Sequence, residues 1–161
     1  MKNVIILTDT RQKNDKFITK EFDKQGIIHI RTGLPSADYM AIRYDNGFIM
    51  DYSILVDTKA NLLELCGNLC HASEHERVKR EIEKAKELGC KEFIFLIAEN
   101  KIKSVDDIKK WTSKYTKVKG SVLYKIMATM AKKYKVKFII CPRKDMGKKI
   151  IEILSTPVAQ K

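Results

Sequence analysis

Two uninterrupted apolar runs limit what this chain can fold into more than any other feature. Residues 3–7 (NVIIL) and 93–97 (FIFLI) do not alternate apolar with polar positions. A strand apolar at consecutive positions buries both of its faces, so it belongs inside a sheet covered by helices on both sides. Residues 136–141, ended by Pro142, supply a third such strand. The segments between them read as helices. Phe17, Ile18 and Phe22 sit at helical spacing before a stop at Gly26, and residues 27–30 form a short second strand. Residues 60–70 carry leucines on one side. Ser73-x-x-Glu76 has the form of a capping box opening a helix to Leu88, closed by Gly89. A short helix is expected from Ser104 to Trp111. A longer one opens at Gly120-Ser121, with Leu123, Ile126, Met127 and Met130 on one face, and a last helix covers 145–154. Residues 33–36 are a loop. Residues 39–44 and the stretches 48–50 and 54–56 form a hairpin about Asp45-Asn46-Gly47, interrupted near Asp51. Strands alternating with helices after a hairpin-bearing first half imply an α/β fold with a mixed central sheet. One domain is expected over 1–154, with 155–161 as a tail.

Charge narrows the partners. Lys and Arg number 32 against 20 Asp and Glu, a formal net charge of +12. Such a surplus favours a polyanion, because each cation that neutralises a phosphate releases condensed counterions. No apolar run approaches the ~20 residues that span a bilayer, and no membrane partner is expected. The opening apolar run is too short for a signal-peptide core, so a cytoplasmic location is expected, in a bacterial cell or a phage-infected host. The string Cys66-x-x-x-Cys70-His71-x-x-x-His75 has zinc-binding residue types. Its spacing is not that of a usual site, and Cys66 and Cys70 fall among Leu62, Leu65 and Leu69 on one apolar helix face.

The chemistry concentrates in Asp38 and in Asp57-Thr58-Lys59. Asp57 and Lys59 are two apart on an extended segment and share a face. Asp38 begins the other arm of the same hairpin, so closing the hairpin brings two carboxylates and an ammonium to one end of the sheet. Phosphodiester hydrolysis needs such a set. Oxygen ligands hold Mg²⁺ or Mn²⁺, the metal activates water, and a lysine orients the water or balances transition-state charge. Asp9-Thr10-Arg11 follows the first strand, where α/β sheets place functional groups. Asp9 can bind metal or its water, or cap the next helix. Arg11 can grip a phosphate.

These motifs resemble the XPF/MUS-type nuclease domain, a branch of the PD-(D/E)XK restriction-endonuclease-like superfamily. That family carries D-x-R-E, then G-D-Y, then E-R-K. The counterparts are Asp9-Thr10-Arg11-Gln12, Ala37-Asp38-Tyr39 and Asp57-Thr58-Lys59, and the resemblance continues through the later strands and helices to about Leu154. It implies a restriction-endonuclease-like sheet flanked by helices and a metal-dependent DNA endonuclease, including one specific for flaps, forks or branches. Asp38 and Asp57 would be the metal ligands, with the Thr58 carbonyl as a third and Asp9 in support. Lys59 would assist the attacking water. A homodimer and a targeting partner are also implied, and a stand-alone domain is expected, without the helix-hairpin-helix module that usually accompanies it. Gln12, Ala37, Asp57 and Thr58 stand where the family has acid, glycine, glutamate and arginine. Leu63 stands where it often has aspartate. The substitutions at Gln12, Ala37 and Thr58 motivate a rival reading, a DNA-binding domain without catalysis; an RNA-acting protein is a third.

Residues 109–119 interleave five lysines with Trp111 and Tyr115. Lys114, Lys117 and Lys119 are phosphate contacts in the nucleic-acid reading, with the aromatics either stacking on bases or folding back onto the core. Arg77 and Arg80 follow the active strand on a helix, and Arg77 is a further phosphate contact unless Glu76, Glu81 or Glu83 takes it. His29 is expected in the core or at a sheet edge.

Overall fold

The computed structural model describes residues 3–156. Six strands form one sheet: β1 (Val4–Asp9), β2 (His29–Thr32), β3 (Tyr39–Arg43), β4 (Ile49–Lys59), β5 (Glu92–Ala98) and β6 (Lys137–Cys141), in the order β2-β1-β3-β4-β5-β6. β3 runs antiparallel to both β1 and β4, and the remaining neighbours are parallel. The expected mixed sheet is therefore present, with the hairpin arms at its centre.

Five helices cover it: α1 (Lys16–Lys24), α2 (Leu62–Cys70), α3 (Ala72–Glu87), α4 (Gly120–Tyr134) and α5 (Met146–Ser155). Adjacent residues of each central strand enter different cores. Leu7, Met40, Leu55 and Phe95 pack with α2, α3 and α4, whereas Ile6, Tyr39, Val56 and Leu96 pack with α1 and α5. The continuous apolar runs thus serve both faces, each fully buried aliphatic side chain contributing about 1.5–3 kcal/mol. Packing of this kind leaves the strand ends to carry polar groups.

Several local expectations shift. β2 starts two residues later than expected, because Gly26 (φ +70°) ends α1 and the Ile27 amide still bonds to Phe22. His29 is half-buried on this edge strand and bonds to Asp23 at 2.7 Å. Asp45-Asn46-Gly47 lies in a five-residue connection between β3 and β4, in which Gly47 but not Asn46 has positive φ. Tyr39 pairs with Val56 while Ala41 pairs with Asp51, so β4 bulges between Asp51 and Val56. Asp51 stabilises the bulge by accepting from the Ser53 amide at 3.0 Å and pairing with Arg43. α3 begins at Ala72 without a side-chain cap, so Ser73 does not form the expected box. The capping pair lies one helix earlier: Asn61 Oδ1 accepts the Glu64 amide at 2.8 Å and Glu64 accepts the Ala60 amide at 2.9 Å. The expected helix from Ser104 shortens to one 3₁₀ turn, Asp106–Lys110, anchored by buried Ile108. All four cysteines are free, and Cys66 and Cys70 lie in or against the apolar core. Ser155 is the last residue of α5, and the rest of the expected tail beyond Thr156 lies outside the described residues. Among those residues no helix is long and apolar enough to cross a membrane.

Gly120 closes the lysine-rich segment by donating to the Trp111 carbonyl at 2.9 Å. A Cβ there would stand 2.0 Å from the Ile108 carbonyl and 2.6 Å from that of Trp111. Neither backbone atom can yield without opening the segment. Gly120→Ala is expected to destabilise the fold by about 3 kcal/mol. Gly33→Ala, where nothing lies within 4 Å, should cost under about 1 kcal/mol; urea unfolding of both variants measures the difference.

Candidate active site

β1, β3 and β4 bring the three expected acidic positions to one edge of the sheet. Asp38, just before β3, accepts the Asp9 amide on its carbonyl (2.9 Å) and donates its own amide to Val56 (3.0 Å). Its side chain turns to the next strand, where Oδ2 accepts from the Thr58 amide at 2.8 Å and the Thr58 hydroxyl at 2.9 Å. Asp57 pairs with Lys59 at 3.0 Å, both side chains about nine-tenths buried. Asp9, Arg11, Asp38, Asp57, Thr58 and Lys59 line one open cavity of about 500 Å³, with Arg77 and Glu81 across from them on α3.

Electrostatics in this cavity are unbalanced. Burial, and then the charge of Asp57, push the Asp38 carboxyl well above its ordinary range, and the Thr58 hydrogen bonds offset this only in part. Burial also works against the Lys59 ammonium, but Asp57, Glu64 and Asp38 outweigh it and hold Lys59 above its usual value. Lys59 is therefore a cation here. Two carboxylates in mutual repulsion, supplied with only one ammonium, form a site that a hard divalent cation would relieve.

Asp9 sits at the same end of the sheet with a partner on each oxygen. Its Oδ1 accepts the Leu34 amide at 2.9 Å and its Oδ2 accepts from Arg11 Nε at 2.7 Å. Burial raises the Asp9 carboxyl, yet these bonds more than compensate and hold it below the ordinary range. Oδ2 thus fixes Arg11, whose side chain remains 74% exposed at the cavity. Among the described residues no three His, Cys, Asp or Glu side chains converge as a metal cluster. His75 instead contacts the Leu69 carbonyl at 2.9 Å at the end of α2.

The residue that sequence reasoning missed is Glu81. It accepts the Ala37 amide at 3.0 Å, and burial followed by the charge of Asp57 pushes its carboxyl up. Ala37 itself has φ +61°, a left-handed conformation that a Cβ disfavours. This explains why the resembling family has glycine at the corresponding position. Arg77 is shared between Glu74 (2.9 Å) and Glu81 (3.7 Å). Arg80 and Lys84 line the same cavity without an acidic partner among the described residues. Lys114, Lys117 and Lys119 stand apart from this cavity, in the segment before α4. There Trp111 folds back against the core while Tyr115 is 73% exposed beneath Lys114.

Two variants test these local terms. Ala37→Gly should raise stability by about 1 kcal/mol by removing the left-handed Cβ penalty, read from the urea midpoint. Asp38→Asn keeps an oxygen for Thr58 and removes a repelled charge. A carboxyl raised by folding stabilises fully below its ordinary value of 3.8 and loses that contribution as pH rises through the folded value. In EDTA, Asp38→Asn should therefore be more stable than the parent at pH 7. The advantage should vanish near pH 3. Equal stability of the two proteins at pH 7 would contradict the strained pair.

Comparison with known proteins accords with this geometry. The structure of XPF from Aeropyrum pernix superposes with a TM-score of 0.63 at 15% identity, covering 93% of this chain and 63% of that one. The structure of XPF from Aeropyrum pernix in complex with DNA gives a TM-score of 0.66 at 15% identity, covering 92% of this chain and 62% of that one. The chain thus spans a little under two thirds of the length of these structures, and its fold is theirs over that span. No curated protein sequence matches it. The ERCC4 domain matches residues 8–154, nearly the whole chain, and the protein belongs to the ERCC4 domain family.

Proposed function

We propose that this chain is a Mg²⁺- or Mn²⁺-dependent endonuclease that hydrolyses phosphodiester bonds in DNA, with branched or flapped DNA among its substrates. The observation that carries the reading is the pair of half-buried Asp38 and buried Asp57 beside cationic Lys59, at the floor of a cavity flanked by arginines. ERCC4 family membership and the fold shared with XPF support it.

In this reading Asp38 and Asp57 hold the metal, with the Thr58 carbonyl as a third ligand. When bound, the metal would polarise a phosphoryl oxygen and lower the pKa of a water. Lys59, kept protonated by its acidic neighbours, orients that water and offsets negative charge developing on the phosphate. Arg11, fixed by Asp9, grips a neighbouring phosphate through its exposed end. Arg77 and Arg80 extend the contact along α3, while Lys114, Lys117 and Lys119 would touch only nucleic acid reaching beyond the cavity.

The test is cleavage of labelled single-stranded, duplex, flap and branched DNA with Mg²⁺, Mn²⁺ or EDTA. Asp57→Asn and Lys59→Ala should each lose about 10²-fold or more in rate while still binding DNA. Mg²⁺ should raise the melting temperature of the parent but not of Asp57→Asn. Salt-sensitive DNA binding, with no cutting of any substrate and no thermal shift, would replace this reading by that of a non-catalytic DNA-binding domain.

A further inference from the structure

The catalytic cavity does not end at β4. A second cavity, of about 240 Å³, shares Gln12, Thr58, Lys59 and Glu64 with it and opens toward α1 and α5. A third hollow continues from there along Lys13 and Phe17 to Lys16, Lys20 and Arg143. The depression therefore crosses the sheet edge, from α3 on one side to α1 on the other, with Lys59 between.

The α1 side is cationic and mostly unpaired. Lys13, Lys16, Lys20 and Arg143 have no acidic partner within 4.0 Å among the described residues. Asp15, the only acid lining the third hollow, is buried and neutralised by Arg31 through bonds of 2.9 and 3.0 Å. Lys16 and Lys20 are one turn apart on the same helix face, about 6 Å along the axis. Arg143 is exposed, yet its guanidinium carbon lies 3.8 Å from the centre of the Phe17 ring, and its amide is fixed to Asn100 at 3.0 Å. A guanidinium held over an aromatic ring is a ready platform for an unpaired base, whereas in a duplex the base faces are already stacked.

We infer that this surface is a second nucleic-acid site, which takes a single strand of the DNA substrate and leads it away from the cleavage point. Lys13, Lys16 and Lys20 contact its phosphates, and one unpaired base stacks on the Arg143–Phe17 pair. The inference rests on the endonuclease reading for the position of the cut, but not for the binding itself.

Fluorescence anisotropy in EDTA, across a salt series, tests it with a labelled single strand and a duplex of the same sequence. Lys13→Glu/Lys16→Glu/Lys20→Glu should weaken single-strand binding about 30-fold or more, and should reduce the slope of log K against log salt by about 2. Arg143→Ala should weaken single-strand binding about 5-fold or more and leave duplex binding within about 2-fold. A control of equal charge change on α4, Lys125→Glu/Lys132→Glu/Lys133→Glu, should cost under about 3-fold. Equal losses in the two triple variants, or equal losses on single strand and duplex for Arg143→Ala, would overturn the strand site. Cleavage in Mg²⁺ is scored in parallel. The expected binding pattern without any cleavage upholds the strand site and overturns the endonuclease. Cleavage abolished by Asp57→Asn but indifferent to the α1 triple, with unchanged binding, overturns the strand site alone. No binding by the parent overturns both.

Discussion

The contact between Asp38 and Asp57 is unfavourable by itself, and the rest of the site is arranged around it. Two carboxylates withdrawn from water repel more strongly than on a surface, and burial together with the charge of Asp57 pushes the Asp38 carboxyl above its ordinary range. They remain together because backbone bonds hold them there. Asp38 is tied to Asp9 on one side and to Val56 and Thr58 on the other, and moving it would break the pairing at one end of the central strands. The two apolar cores on either side of the sheet make that pairing secure. Stability is gathered in the cores and given up at the strand ends, where function needs groups that would not otherwise stay close.

The same arrangement explains what the sequence could disclose. Asp57 and Lys59 were legible because a strand has a period of two, and Asp38 because a hairpin with Asp45-Asn46-Gly47 folds one arm onto the other. The sheet class was legible because β1 and β5 bury both faces. The interruption near Asp51 also announced the bulge, since a charge in an otherwise apolar arm needs its own partners, here Ser53 and Arg43. Glu81 was hidden. On α3 it reads as one more surface charge, four residues from Arg77, and only the crossing of α3 over the loop at Ala37 turns it inward. Asp9 was found but its bonds were not legible, because a place at the end of a strand does not reveal that Leu34 and Arg11 would each engage one of its oxygens. Trp111 and Tyr115 differ in fate for a similar reason: which aromatic meets the core depends on the closure of the loop at Gly120, and spacing carries no record of that.

The departures from the family pattern bear on whether the site is still a working one. Gln12 and Thr58, 46 positions apart in the chain, meet at 2.8 Å. Gln12 Nε2 donates to the Thr58 hydroxyl, and that hydroxyl donates to Asp38 Oδ2. The direction of this relay depends on both residues. A glutamate at position 12 would compete with Asp38 for the single threonine proton, and a threonine without Gln12 would lose the donor that polarises it. The two neutral residues therefore form a matched pair in place of an acid and a base, and together they aim a hydrogen bond at a carboxylate proposed to bind metal. Decay of an unused site would be expected to remove such partners independently. A substitution at one position that fits the substitution at the other, and converges on Asp38, argues for a site whose geometry still matters.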